Sequence, residues 1–152
     1  MIKKIALLIL FIFFLAGCTS LQFPAYIQDK NPYTQKFYAG HDEVVTAVKK
    51  SLTDLGWQVD GTADPTTYEQ QRVPEPDSED VLIYTQVRQT PMFVWTAYRR
   101  VNVIVHSKSN TSDVEIRYSK VNAFPFKQFK GYRNDKLAKR IFQHITDDLN
   151  QL

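Results

Sequence analysis

Two long runs of strict alternation constrain this chain most. In AYRRVNVIVHS, Val101, Val103 and Val105 fall on one side, opposite Arg100, Asn102 and His106. In DVEIRYS, Val114, Ile116 and Tyr118 oppose Glu115 and Arg117. A strand turns successive side chains to opposite faces, so such runs predict strands with one buried and one wet face. SKSNTS (107–112) between them reads as a hairpin connection, so the pair is antiparallel. A third run, DVLIYTQVRQ, adds Val81, Ile83, Thr85 and Val87 on one face. An antiparallel sheet with one wet face needs a second layer on the other.

Two helical stripes supply that layer. Val44, Val45, Val48, Leu52 and Leu55 recur at helical spacing, predicting a helix over about 42–55. Asp42 suits its N-cap and Gly56 its C-terminal turn. Leu137, Ile141, Phe142, Ile145 and Leu149 predict a second helix, capped by Asn134 or Asp135. QKFYA (35–39) suits a short first strand, and Trp57 with Val59 another. The expected fold is α+β: an antiparallel sheet with two helices packed on one face.

Between the first helix and the strand runs lies a loop, residues 60–80. It holds Asp60, Asp64, Glu69, Glu75, Asp77, Glu79 and Asp80 against a single base, Arg72. It reads as solvated, with a short strand around Thr67–Gln71.

The first twenty residues have a different logic. Lys3 and Lys4 precede an unbroken apolar run from Ile5 to Ala16. A helix of that length covers about 18 Å, short of the ~30 Å hydrocarbon core, so it reads as a signal-peptide core and not a span. Cys18, the one cysteine of the chain, follows directly. Leu15-Ala16-Gly17-Cys18 resembles the lipobox of bacterial lipoproteins at all four positions. The resemblance implies a diacylglycerol on the Cys18 sulfur, cleavage before Cys18 and acylation of the new amine. The plainer alternative is an ordinary secretory signal with an incidental cysteine. Two or three acyl chains hold firmly where one holds marginally. Thr19 in place of aspartate after Cys18 implies, within that family, the periplasmic face of the outer membrane.

The expected organisation is therefore a signal peptide (1–17), a lipid anchor and tether (18–34) and a single domain (35–152). As flexible coil the tether would reach roughly 20–25 Å. Phe23, Tyr26, Ile27 and Tyr33 make it apolar enough that part of it docks on the domain. A lipobox followed by this order of elements resembles the small helix-on-sheet domains of the BamC (NlpB) outer-membrane assembly lipoproteins. With one cysteine there is no intrachain disulfide, so stability rests on the core. The formal charge of +3 includes Lys3 and Lys4. Cleavage brings the chain two charges closer to neutral, and nucleic acid is not an expected partner.

Chemistry-bearing motifs are scarce. His41, His106 and His144 show no zinc-ligand spacing and read as surface or packing residues. There is no G-x-S-x-G, P-loop or dinucleotide fingerprint. No enzyme activity, cofactor or metal is expected.

Two stretches stand out as candidate contact surfaces. TPMFVWTAYRR carries Met92, Phe93, Val94, Trp95 and Tyr98. The simplest reading extends a strand into the core, but alternation cannot bury all of them, so apolar area is left at an edge or loop. FPFKQFKGYRNDKLAKR (124–140) interleaves Lys127, Lys130, Arg133, Lys136, Lys139 and Arg140 with Phe124, Phe126, Phe129 and Tyr132. This segment reads as a loop and first helical turn suited to anionic lipid, lipopolysaccharide or an acidic protein. Inward aromatics with solvated lysines are the bland alternative, as is neutralisation by the acidic loop. Met92, Phe93, Trp95, Lys127, Phe129, Lys130 and Arg133 are the expected contact residues for a partner or membrane surface, with Cys18 as the lipidation site. The expected role is an accessory or scaffold meeting another envelope protein. Its rival is a carrier of a small apolar ligand, which would need a cavity above ~300 Å³ lined by Val and Phe between helices and sheet.

Overall fold

A single long hairpin is the spine of the molecule. In the computed structural model, which describes residues 23–69, 79–125 and 127–151, β5 (Thr96–Lys108) and β6 (Thr111–Phe124) pair antiparallel along their whole length. Ser109 and Asn110 turn between them, inside the expected 107–112 connection. Residues 1–22, where the signal peptide and the lipidated Cys18 are expected, lie outside the described residues, as do residues 70–78.

Each outer edge of the spine is shared by two partners. Along β6, β1 (Tyr33–Phe37) pairs with residues 112–116 and β7 (Lys127–Gly131) with residues 120–124. Along β5, β3 (Val81–Thr85) pairs with residues 102–105 and β4 (Arg88–Pro91) with residues 96–99. β2 (Val59–Ala63) closes the far side of β3. The sheet thus has a body ordered β1-β6-β5-β3-β2 and, at the other end of the spine, a wing ordered β7-β6-β5-β4.

DVLIYTQVRQ, read as one run, is therefore two strands. Thr85 manages the break between them. Its hydroxyl donates to the Val101 carbonyl and accepts from the Val101 amide, both at 3.1 Å, standing in for the interrupted ladder. Gln86 N–H then bonds the Gln58 carbonyl at 2.8 Å. Opposite, Gly61 lies under the Tyr84 ring. A Cβ there would sit 2.6 Å from the Tyr84 hydroxyl oxygen, so any side chain beside this register shift would have to push the Tyr84 ring aside.

Both helices pack on one face of the body, as the stripes predicted. Val44, Ala47, Val48 and Leu52 of α1 (His41–Asp54), with Ala138, Ile141 and Ile145 of α2 (Asp135–Leu149), are buried. All of these but Ala138 meet Ile83, Val101, Val103, Val105, Val114, Ile116 and Tyr118 in one core. Where the helices meet, the small Ser51 donates to the Ile141 carbonyl at 3.1 Å. α1 begins at Gly40, whose N–H is held by the Glu43 carboxylate at 3.2 Å, and not at Asp42. It ends as expected at Gly56, with φ of 76°. Asn134 caps α2 through the Leu137 amide.

The second face of the sheet is not wet. Residues 24–27 cross it as a strap. Tyr26 and Ile27 are buried, the former beside Leu82 and Ile104 on a sheet face that carries no helix. The polar residues of that face receive the strap's carbonyls. Arg100 Nη1 donates to Pro24 at 2.6 Å, Asn102 Nδ2 to Ala25 at 3.0 Å and Arg117 Nη1 to Ile27 at 3.2 Å. Alternation of apolar with polar residues was read as buried against solvated. Here it separates an apolar interface from a hydrogen-bonded one. The packed unit accordingly reaches back beyond residue 35, and β1 starts two residues earlier than expected.

Glu69, from the acidic loop, lies under the strap as well. It accepts from Arg117 Nη2 at 2.8 Å and from the Tyr26 hydroxyl. The residues before it form a 3₁₀ turn, Pro65–Thr67, while the end of the short strand expected around Thr67–Gln71 lies outside the described residues. Its start is fixed by Asp64, which accepts from the Thr66 amide at 2.8 Å. His106, expected on the wet face, is largely buried between Asp80 at 2.9 Å and Glu115 at 3.6 Å.

Candidate contact surface on the wing

The wing is built by β-pairing alone, and among the described residues no helix or strap lies on its far end. Met92 N–H bonds the Trp95 carbonyl at 2.8 Å and closes the turn from β4 to β5. Pro91, just before it, suits an edge strand, because it lacks the N–H a neighbour would use. The turn pushes apolar side chains outward: Phe93 is fully exposed, and Met92 and Val94 are 50% and 59% exposed. The expected extension of a strand into the core does not occur, since the strand starts only at Thr96.

β6 and β7 reach the same end of the sheet. Thr96 stands opposite Ala123, which brings the Met92–Trp95 turn beside the turn between Phe124 and Lys127. Trp95 stacks on Phe124 with ring centroids 5.6 Å apart, and Phe124 meets Phe129 edge-on at 5.7 Å. Lys127 Nζ lies 4.9 Å over the Phe129 ring. Offset and edge-on ring pairs of this kind add to area burial, so the cluster holds the tip in one shape. Lys127–Gly131 is thus an edge strand and not the loop expected from its composition.

The two stretches singled out in the sequence therefore converge. Met92, Phe93, Trp95, Lys127 and Phe129 form one surface, to which the structure adds Val94 and Phe124. Lys130 departs from it. It stands opposite Val121, on the other face of the strand, and lines a cleft of about 690 Å³ with the strap residues Phe23–Gln28. Arg133 departs as well. Its guanidinium lies 3.9 Å over the Tyr33 ring, donates to the Asn31 carbonyl at 2.8 Å and pairs with Asp135 at 3.3 Å. It ties β1 to the start of α2.

Among the described residues, no three His, Cys, Asp or Glu are grouped to hold a metal, and no helix is long and apolar enough to cross a membrane. The polar cluster that does exist, Glu69–Arg117–Glu115–His106–Asp80, lies on the strap face. Burial pushes the Glu115 carboxyl up. The hydrogen bond from His106 and the charge of Arg117 outweigh this and hold it below the ordinary carboxylate value. Burial, reinforced by the bond to Glu69, raises Tyr26 and keeps its hydroxyl a donor. These shifts belong to a clamp: every member that touches the strap fixes it.

No family model and no curated protein matches the sequence. Among solved structures, the crystal structure of the vertebrate conserved region of human METTL16 is similar at a TM-score of 0.42 and 17% identity, covering 80% of this chain and 96% of that chain. A likeness of that size carries no functional argument.

Proposed function

We propose that this chain is a lipid-anchored envelope lipoprotein and a non-catalytic accessory, held through Cys18 at the periplasmic face of the outer membrane. There it makes protein–protein contacts through the wing. The lipobox at 15–18 supports the anchor. The observation that carries the contact role is the apolar tip: Met92, Phe93 and Val94 exposed in consecutive positions beside a fixed Trp95–Phe124–Phe129 cluster. Consecutive exposed apolar residues on a pre-shaped hairpin end are what a partner's pocket recognises, and they cost solubility otherwise. The carrier reading has less support. Between helices and sheet, Val44, Val48, Leu52, Val101, Val103, Val105 and Ile141 are fully buried against one another.

Labelled palmitate tests the anchor: wild type takes up label and Cys18→Ser does not. Affinity purification from detergent-solubilised envelope then tests the contact. Phe93→Asp is expected to lose the co-purifying protein while keeping its fold, since Phe93 packs on nothing that melts with it.

A further inference from the structure

At the base of the wing, on the helix side, lies a second cleft of about 590 Å³. Its floor is a row of cations that no sequence window reveals. Arg88 stands directly opposite Arg99 across β4 and β5, and Arg99 directly opposite Lys120 across β5 and β6. Directly opposed residues share a face, so the three charges stand side by side at cross-strand distance. The wall across from them carries Arg133, Lys136 and Arg140.

Each arrangement works against the fold. Like charges directly opposed destabilise a sheet. Lys136 and Arg140 repeat the conflict at helical i, i+4 spacing, and Lys136 sits at the positive end of the α2 macrodipole. Among the described residues, no carboxylate lines the cleft. Among the described residues the ion pair seen at its rim is Arg133 with Asp135. Two of the cations are nevertheless held in place. The Arg88 guanidinium lies 4.9 Å over the Trp57 ring, and Arg99 Nη1 donates to the Thr90 hydroxyl at 3.3 Å. A concave site lined by six cations, four of them guanidinium groups, and a helix N-terminus is built for phosphate oxygens. Its volume suits a ligand larger than one phosphate.

We propose that this cleft binds a ligand bearing two or more phosphate groups. The inference is independent of the contact role of the wing tip, which uses other residues. A phosphorylated lipid headgroup and a free polyphosphate share this chemistry, and two probes separate them.

The full chain in neutral-detergent micelles is titrated at low salt with inorganic tripolyphosphate and, separately, with mixed micelles containing cardiolipin. Wild type is expected to bind at least one probe. Lys120→Gln with Lys136→Gln should weaken it tenfold or more, and Arg88→Gln with Arg140→Gln likewise. Lys36→Gln with Lys49→Gln, exposed and outside the cleft, should change it less than twofold. Without ligand, the Lys120→Gln with Lys136→Gln variant should melt at or above the wild-type temperature, because it relieves repulsion. Preference for tripolyphosphate assigns a free ligand, and preference for cardiolipin a headgroup. Binding of neither probe, equal losses in cleft and control variants, or tighter binding of poly-glutamate than of both probes would overturn the proposal.

Discussion

The Arg117 guanidinium lies 4.9 Å over the ring of Tyr26, 91 residues away in sequence, and donates to its hydroxyl. Through this contact the strap becomes part of the fold. Arg117 is almost fully buried, and it also serves the Ile27 carbonyl, Glu69 and Glu115.

Arg117→Leu should therefore cost about 3–5 kcal/mol, because it leaves a buried cluster of carboxylates without its central cation. Against a typical total of about 5–15 kcal/mol this is a large share. Urea denaturation of the wild type and variant measures it. A loss below about 1 kcal/mol would mean that the strap is held by Ile27 and Tyr26 packing alone.

Glu115 makes stability pH-dependent with a definite sign. Burial raises its carboxyl, but the bond from His106 and the charge of Arg117 leave it below its ordinary value of 4.5. A carboxylate depressed on folding stabilises above its unfolded value, and that contribution is lost as pH falls through the folded value. Glu115→Gln should cost about 1–3 kcal/mol near neutral pH. The gap between the two proteins should close as the pH drops through and below 4.5, where the carboxyl itself becomes neutral. A gap that stays constant with pH would show that shape, and not charge, is what Glu115 supplies.

The two sides of the sheet should respond differently to truncation and to a buried charge. Val48 is fully buried in the helix–sheet core, so Val48→Asp should abolish the cooperative melt, at a cost of several kcal/mol. A chain begun at Gln35 loses Ile27, which is worth about 1.5–3 kcal/mol of burial, along with the first two residues of β1. It should melt below a chain begun at Phe23. Equal melting temperatures would detach the strap from the folding unit.

These differences track what was legible beforehand. Both helices and the β5–β6 hairpin were readable because their apolar residues hold one period and face one core. The strap was not, because Arg100, Asn102 and Arg117 are polar residues that face carbonyls of a segment about 75 to 90 residues earlier. β7 was not readable either. Gln128, Phe129 and Lys130 are exposed on both faces, so burial imposes no alternation there. Met92–Trp95 and Lys127–Phe129 were visible singly as oddly apolar or basic. Their meeting, like the Arg88–Arg99–Lys120 row, follows from a cross-strand register that composition does not carry.

The contact role of the wing is tested most directly by a photo-crosslinking residue placed at Phe93, with Lys49 on the outer side of α1 as control. Irradiated in intact envelope, position 93 should yield one discrete adduct with another envelope protein, and position 49 none. Matching adducts at both positions, or none at 93 in a protein that is present and folded, would contradict the account.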